Sequence, residues 1–380
     1  MRTKRSLFIG LVFSIMTLSG CWDVSYLTNK KMVTGIGMDA APNGQITGTV
    51  RAAVLKSRGA GQFDIKDEMI QATGDSVNRV GDRIDGMLPG TIDVSKTHVI
   101  IIGEELAKRG IFAPLESFYR SRKAYLNGNI IISKGLASEV ISAELTESNP
   151  VSFDIKQMIL GATYKSIVPK QTLYTLWMNT LPDEAADAVM PVIRKIEKNH
   201  LIIDTTGLFH GDKFTGVTLA REESCMLMLM MDKLSKLAYL SIPVKSDEAG
   251  QRKDTMSNII SFEVRAMKRA FDVSVKPNTE AIQCILKLDL YGEVRSSPTS
   301  IGREIDRKAL EEELNASLGQ RAKDVAGKLK QANSDVLGIG RRLRAHHNEM
   351  WKRLDWNEKF KEVVMNPEVN VHIQSTGILK

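Results

Sequence analysis

The sequence lacks the short motifs that mark most metal, nucleotide and hydrolase sites. Its 380 residues include three cysteines and six histidines, and no histidine pair is spaced i, i+4 around a glutamate as in a zinc-protease helix. The adjacent His346 and His347 lie on different faces of a helix, so they do not form a helical metal pair. No Gly-Lys-Ser/Thr phosphate loop and no Gly-x-Ser-x-Gly elbow occurs. We therefore predict a chain that is not an enzyme and holds no cofactor or metal.

Two weaker patterns do not change this prediction. Gly35-Ile-Gly37 and Gly338-Ile-Gly340 each lack the third glycine and the strand-turn-helix context of a dinucleotide site. The acidic runs Asp67-Glu68, Glu222-Glu223 and Glu311-Glu312-Glu313 are explained more simply as solvated faces and helix caps than as acid/base pairs.

No hydrophobic run is long enough for a transmembrane helix, and the apolar run near the N-terminus is short. Arg2, Lys4 and Arg5 precede an uncharged apolar run over residues 7–18. At about 1.5 Å rise per residue, a run of that length is too short to cross a hydrocarbon core of about 30 Å. The pattern is typical of a secretory signal peptide and not of a transmembrane helix.

The apolar run ends at Leu18-Ser19-Gly20-Cys21, which matches a bacterial lipobox. We therefore predict that residues 1–20 are removed and that Cys21 carries S-diacylglycerol and an N-acyl chain. Two or more acyl chains give stable membrane attachment, at about 0.8 kcal/mol per buried methylene. The alternative is an ordinary signal peptide with an incidental cysteine.

The two remaining cysteines, Cys225 and Cys284, are far apart and each lies in an apolar context. A disulfide is possible outside the membrane, but two buried free thiols are the favoured interpretation. The net charge of +7 falls by three when the signal peptide is removed, and the remaining surplus is dispersed. This charge distribution gives no indication of nucleic acid as a partner.

Hydrophobic patterning predicts an α+β fold of about three domains, in which mixed sheets pack against helices. Runs around Pro42-Asn43-Gly44 predict a β-hairpin, and the glycines within 57–61 predict a mobile loop. Residues 72–87 have helical periodicity. Continuous apolar strands at 97–103 and 129–133 are each followed by a helix.

The charged stretch 184–199 contains Pro191 and predicts a joint between domains. We assign residues 21–195 to an N-terminal α+β domain and residues 196–380 to a C-terminal α+β region of two subdomains. In the second region, 225–231 predicts a buried segment. Residues 303–331 predict a long helix with an apolar stripe of Ile305, Leu310, Leu314, Leu318, Val325 and Leu329, and 367–373 predicts an alternating strand.

Motifs at both ends of the chain together resemble one protein family. Cys21-Trp22-Asp23 is followed by Gly35-Ile-Gly-Met-Asp39. Near the C-terminus come Ser334-Asp-Val-Leu-Gly-Ile-Gly340, then Trp351 to Trp356 and Phe360, then Val369 to Ile373 and Gly377. Their order resembles the Ger(x)C family, the lipoprotein C subunits of bacterial spore nutrient (germinant) receptors. Two departures, at Val24-Ser25-Tyr26 and at 344–350, leave the particular receptor open.

The resemblance implies a lipid-anchored, non-catalytic subunit at the outer face of the cell membrane, here the spore inner membrane. Its partners would be an A-type subunit and an integral-membrane B-type subunit, and the complex would respond to nutrients such as amino acids or sugars. The alternatives are a solute-binding lipoprotein of a nutrient transporter and a surface enzyme of another class. We interpret Trp351, Trp356 and Phe360 as sealing a core in preference to forming a partner-binding patch.

Overall fold

A computed structural model describes residues 30–59, 62–145, 150–180, 186–197, 200–243, 259–276, 279–296 and 306–376. Within these ranges, helices pack against two separate β-sheets, which confirms the predicted α+β class. The predicted signal peptide, Cys21 and residues 22–29 lie outside the described residues, as does Gly377.

The larger sheet is built from the first nine strands of the described chain. They are β1 (Lys30–Ala40), β2 (Ile46–Gly59), β3 (Gln62–Gly74), β4 (Thr91–Asp93), β5 (Val99–Gly103), β6 (Asn129–Ser133), β7 (Val189–Lys195), β8 (Leu201–His210) and β9 (Lys213–Leu219). The spatial order is β3-β2-β1-β5-β6-β7-β8-β9, with β4 beside β1. The middle strands β1, β5, β6 and β7 run parallel, and antiparallel hairpins extend the sheet on both sides.

Helices cover both faces of this sheet. They are α1 (Val77–Met87), α2 (Glu104–Arg109), α3 (Phe112–Arg120), α4 (Ala137–Ile141), α5 (Val151–Tyr164) and α6 (Leu173–Thr180). On β5, Ile100 and Ile102 belong to the core under α1, α2, α3 and α6, whereas Val99 and Ile101 belong to the core under α4 and α5. Burial on both faces is the reason that β5 and β6 are continuous apolar runs in the sequence.

The two hairpins at the start of the sheet differ in how well the sequence predicted them. Asn43 (φ 56°) and Gly44 (φ 75°) turn the chain between β1 and β2 in the left-handed region that these residues tolerate, which confirms the first hairpin. The predicted loop is wrong for residues 57–59, whereas 60–61 lie outside the described residues. β2 continues to Gly59, and Gly59 pairs with Gln62 at the start of β3, which makes a second hairpin.

The stretch predicted as a joint contains a strand of the same sheet. Val189, Met190 and Val192 of β7 are almost fully buried, and Pro191 pairs with Thr206 of β8. The sheet is therefore continuous across residues 195 and 196. The division of the chain into domains at that position stays a prediction.

The second sheet contains β10 (Ala238–Pro243), β11 (Ile259–Val275), β12 (Ile282–Ser296) and β13 (Val364–Ser375), in that spatial order. The parallel pairing of β12 with β13 places the predicted C-terminal strand beside a strand some 80 residues earlier in the chain. The helices of this part are α7 (Arg221–Met230), α8 (Arg307–Gln331), α9 (Ile339–His346), α10 (Asn348–Trp351) and α11 (Trp356–Lys359).

The long helix α8 covers the second sheet as its sequence pattern predicts. The side chain of Asp306 accepts hydrogen bonds from the Lys308 and Ala309 amides and so caps the helix. Ile305 of the predicted stripe lies outside the described residues. The other members of the stripe are all buried: Leu310, Leu314, Leu318, Val325 and Leu329. The predicted buried segment after Ser224 is also confirmed, because Cys225 to Met230 of α7 lie in the same core.

Candidate functional site: a buried carboxylate junction and a basic pocket

The loop between α8 and α9 folds around a buried carboxylate, Asp335, which is 2% exposed. Its Oδ1 accepts a hydrogen bond from the Ile339 amide at 2.8 Å, and its Oδ2 accepts one from the Gly340 amide at 2.7 Å. The indole Nε1 of Trp356 also donates to Oδ2, at 3.3 Å. The carboxylate thus occupies the N-terminus of α9, where a negative charge is favoured.

A second carboxylate, Asp187, connects this loop to the larger sheet. Its Oδ2 accepts a hydrogen bond from the Asp335 amide at 2.7 Å, and its own amide donates to the Asp335 carbonyl at 3.0 Å. Its Oδ1 accepts from the Gly211 amide in the β8–β9 turn at 2.7 Å. The neighbouring Ser334 hydroxyl donates to the Phe209 carbonyl of β8. The larger sheet and the α8–α9 loop therefore meet at one hydrogen-bonded junction.

Burial raises the pKa of Asp335 to about 7, and the Asp187 carboxylate adds to this effect. The amides of Ile339 and Gly340 and the Trp356 indole oppose the rise because they stabilise the charged form. On the other side of Asp187, the His210 imidazole lies 3.8 Å from Oδ2, and the Asp187 carboxylate raises the pKa of His210.

The aromatic residues of the C-terminal motif pack on this junction. Trp356 (8% exposed) and Phe360 (2% exposed) are buried with ring centroids 5.7 Å apart, and the half-buried Trp351 lies 5.5 Å from Trp356. A Cβ atom at Gly340 would lie 2.6 Å from Nε1 of Trp356, so only glycine fits beside the indole. Trp356 and Phe360 therefore seal a core, as the sequence predicts.

The raised pKa of Asp335 predicts a pH dependence of stability. Between about pH 4 and pH 7 the Asp335 carboxyl is protonated in the native protein but ionised in the unfolded chain. The free energy of unfolding therefore falls as the pH rises through this interval, by up to about 1.4 kcal/mol per pH unit. Above about pH 7 it levels off. Asp335→Asn should remove this part of the pH dependence. His210 titrates in both proteins, so its effect cancels when the two are compared. Urea unfolding of the two proteins across that interval measures it. Equal pH slopes would show that Asp335 is ionised throughout.

The motif near the N-terminus also has a structural role, within the larger sheet. The buried Asp39 of β1 accepts hydrogen bonds from the Ala137 and Ser138 amides at 2.7 and 2.8 Å, at the start of α4. A Cβ atom at Gly35 would lie 2.8 Å from side-chain atoms of Ile141 and Ser152. Gly35-Ile-Gly-Met-Asp39 thus sets the close approach of α4 and α5 to β1.

A pocket of about 230 Å³ lies next to the junction and is lined by residues of both sheets. Its charged lining residues are the cations Lys233, Arg269 and Arg341 and the carboxylate Asp187, and the buried Gln171 adds an amide. The Arg269 guanidinium stacks on the Phe271 ring at 4.2 Å, and its buried Nε has no hydrogen-bond partner among the described residues.

The electrostatics of this pocket favour an anion. Burial lowers the pKa of Arg269 and of Lys233, because desolvation destabilises the charged form of a cation. The Asp232 carboxylate partly offsets this effect at Arg269. Because three cations and one carboxylate line the pocket, a bound carboxylate would add counter-charge and match the planar guanidinium.

The structure places the other candidate residues in packing roles. Cys225 and Cys284 are buried free thiols, as the sequence favours, and burial raises the pKa of each to about 12. His98 packs edge-on against Phe153 with ring centroids 6.4 Å apart, and burial lowers its pKa. In the described ranges, no group of three or more His, Cys, Asp or Glu residues is placed to hold a metal ion. None of the described helices is both long and apolar enough to cross a bilayer.

The residues of the junction and the pocket differ in how visible they are in the sequence. Asp335, Gly340 and Trp356 belong to the C-terminal motif, but nothing in the local pattern identifies Asp187, which lies 148 residues before Asp335. Lys233 and Arg269 are also missed, because single basic residues near strands and helix ends carry no signal by themselves. Cys21, the predicted site of lipidation, is not tested by the described residues.

Two family models match the chain in order. "Spore germination protein N-terminal domain" matches residues 23–195, and "Spore germination B3/GerAC like, C-terminal" matches residues 204–377. The break between them coincides with the β7–β8 connection inside the larger sheet. The two models therefore cover most of the chain.

Individual proteins are similar over the same length. "Spore germination protein GerQC" of Bacillus cereus is 21% identical, with 97% of this chain and 98% of the relative covered. "Spore germination protein KC" of Bacillus subtilis (strain 168) is 22% identical, with 99% and 96% covered. The crystal structure of the GerBC protein has the same fold, with a TM-score of 0.56 at 17% identity, over 93% of this chain and 100% of that one. The chain therefore belongs to the GerAC-like family of spore germination proteins, as the resemblance in its sequence predicted.

Proposed function

We propose that this spore germination protein is the lipid-anchored, non-catalytic C subunit of a spore germinant receptor. The observation that carries the proposal is the ordered match of both family models, beginning at residue 23 and ending at residue 377. The first match starts two residues after the predicted lipidation site, so the family region is the part that would remain once residues 1–20 are removed.

Cys21 is the proposed site of membrane attachment. Its S-diacylglycerol and N-acyl chains would hold the chain at the outer face of the cell membrane, which is the inner membrane of the spore. The lipobox over residues 18–21 and the short apolar run before it support this assignment. The partners in this proposal are the A-type subunit and the membrane-embedded B-type subunit, with no role for nucleic acid.

Nutrient-triggered germination tests the proposed function. Spores that lack the gene should be viable but should not respond to at least one amino acid or sugar that triggers wild-type spores, with the response measured as dipicolinate release. Restoring the gene should restore the response, and spores germinated by a receptor-independent treatment serve as the viability control. Unchanged release on every nutrient, in a strain with no redundant receptor, contradicts the proposal.

The basic pocket favours a second candidate function, the binding of a small carboxylate such as an amino acid by this chain itself. This is the part of the solute-binding alternative that the geometry supports, because Lys233, Arg269 and Arg341 converge on one cavity. Calorimetric titration of the purified chain with nutrient carboxylates tests it. Tight binding that Arg269→Gln abolishes supports a nutrient-contacting subunit, whereas no heat with any nutrient leaves the anchored receptor subunit as the function.

A further inference from the structure

A cluster of large apolar side chains is exposed on α6 and on the loop before β6. This aromatic patch consists of Tyr125, Leu126, Tyr174, Trp177 and Met178, which are between 40% and 55% exposed. Single exposed apolar residues are ordinary on protein surfaces, but a contiguous cluster of this kind marks an interaction surface.

The protein fixes the patch in place. The Tyr174 amide donates to the Leu126 carbonyl at 2.9 Å, which joins the loop to the start of α6. The Trp177 ring packs on Tyr119 with centroids 4.5 Å apart, and the Tyr119 hydroxyl donates to the Leu173 carbonyl at 3.1 Å. Leu173 and Leu176 of the same helix are buried, so α6 has one face in the core and one apolar face outside.

Basic residues border the patch. Arg122 and Lys123 are exposed in the same loop, and Lys170 is exposed just before α6. Among the described residues, none of the three forms an ion pair, whereas the nearby Arg120 is paired with Glu116. Tryptophan and tyrosine prefer the membrane–water interface, and Lys and Arg beside them are attracted to anionic headgroups. The composition of this surface therefore suits an anionic bilayer.

The sheet places the patch on the side where the predicted tether enters. β1, β5 and β6 run parallel, with Gly35 opposite Val99 and Val99 opposite Asn129, so all three strands begin at one edge of the sheet. The patch loop ends at Asn129, and the backbone of Gln171, just before α6, accepts a hydrogen bond from Ile130. β1 reaches the same edge and continues past it to Lys30.

Cys21 lies nine residues before Lys30. A chain of that length spans at most about 30 Å when fully extended. We propose that the aromatic patch lies on the anionic surface of the membrane to which Cys21 is attached, so that the chain has a second, peripheral contact with the bilayer in addition to its acyl anchor. This inference rests on the proposed lipid anchor and adds the orientation of the protein: the edge with α6 and the loop before β6 faces the lipid.

Quenching of Trp177 by brominated lipid tests this orientation. The probe is the processed, acylated full chain carrying Trp22→Phe, reconstituted in phosphatidylglycerol vesicles with brominated or ordinary acyl chains. We expect brominated lipid to lower tryptophan emission, and we expect this loss to disappear when Trp177→Phe is added, because Trp356 is buried and Trp351 half-buried in the C-terminal region. A loss of emission that is the same with and without Trp177 overturns the proposal.

A matched pair of charge reversals tests the basic border. Lys123→Glu should reduce quenching, whereas Lys323→Glu on the exposed side of α8 should leave it unchanged. Equal effects of the two changes contradict a local headgroup contact.

Three outcomes separate this inference from its rivals. If the processed chain does not carry acyl groups and does not float with the vesicles, the proposed anchor fails. If the chain floats but Trp177 is not quenched, the anchor holds and the membrane contact of the patch is wrong. If Trp177 is unquenched and Trp177→Ser also removes co-isolation with the A-type or B-type subunit, the patch is a protein interface, which equally overturns the membrane proposal.

Discussion

Cys21→Ala is expected to move nearly all of the protein out of the membrane fraction or to leave its signal peptide uncleaved. The sulfur of Cys21 is the predicted attachment point for two acyl chains, and each methylene they bury contributes about 0.8 kcal/mol of membrane affinity. An aromatic patch with a few basic neighbours is a much weaker attachment by comparison. Fractionation of sporulating cells, together with fatty-acid labelling and the mobility of the chain on a gel, measures the effect.

A matched cysteine substitution controls for this result. The Cys225 thiol is buried in the core, and this burial raises its pKa. Cys225→Ala should therefore leave acyl labelling and the membrane fraction unchanged. Unchanged acyl labelling and an unchanged membrane fraction in Cys21→Ala would mean that the chain is attached in another way, and the lipobox interpretation would then be wrong.

Trp356→Ala is expected to lower the free energy of unfolding by about 3–5 kcal/mol. The substitution removes a buried indole that packs against Phe360 and Gly340, and it removes one of the three donors to the Asp335 carboxylate. Because the junction joins the larger sheet to the α8–α9 loop, which follows the helix that covers the second sheet, the loss should weaken both parts of the described chain together. Urea unfolding of the purified protein, followed by circular dichroism, measures it.

Trp177→Ala is the matched control, since the same side chain is removed from an exposed site. A surface substitution of this kind changes stability by about 0.5 kcal/mol or less, although here the lost packing on Tyr119 adds to it. If the two substitutions cost the same, Trp356 does not hold the junction together in solution.

The sequence predicts those parts of the fold in which one local rule decides the structure. β5 and β6 are found because strands buried on both faces are continuous apolar runs, and α8 is found because its stripe keeps helical spacing over 25 residues. The edge strand β3 is missed because three consecutive charged residues, Lys66-Asp67-Glu68, interrupt its apolar alternation and the glycines before it suggest a loop. The sequence predicts that α1 starts at residue 72, five residues too early. The helix starts at Val77 because the Ser76 side chain accepts a hydrogen bond from the Arg79 amide and caps it there.

The candidate site shows a different limit. The motif around Asp335 and Trp356 is visible in the sequence, and the interpretation of the aromatic residues as core is correct. What local patterns cannot supply is the partner of the motif, because Asp187 and the β8–β9 turn reach Asp335 only through the pairing of strands far apart in the chain. The same reason hides the basic pocket, whose three cations lie on three different elements or loops.

Dipicolinate release from spores whose only copy of the gene encodes Cys21→Ala tests the central claim most directly, that an anchored chain is needed for the nutrient response. Spores with the wild-type gene, the deletion and Cys225→Ala are measured beside them with the same nutrients, and accumulation of the variant chain is checked in each strain. We predict that Cys21→Ala spores resemble the deletion and that Cys225→Ala spores resemble the wild type. Normal release from Cys21→Ala spores, on a nutrient to which deletion spores do not respond, would contradict the account.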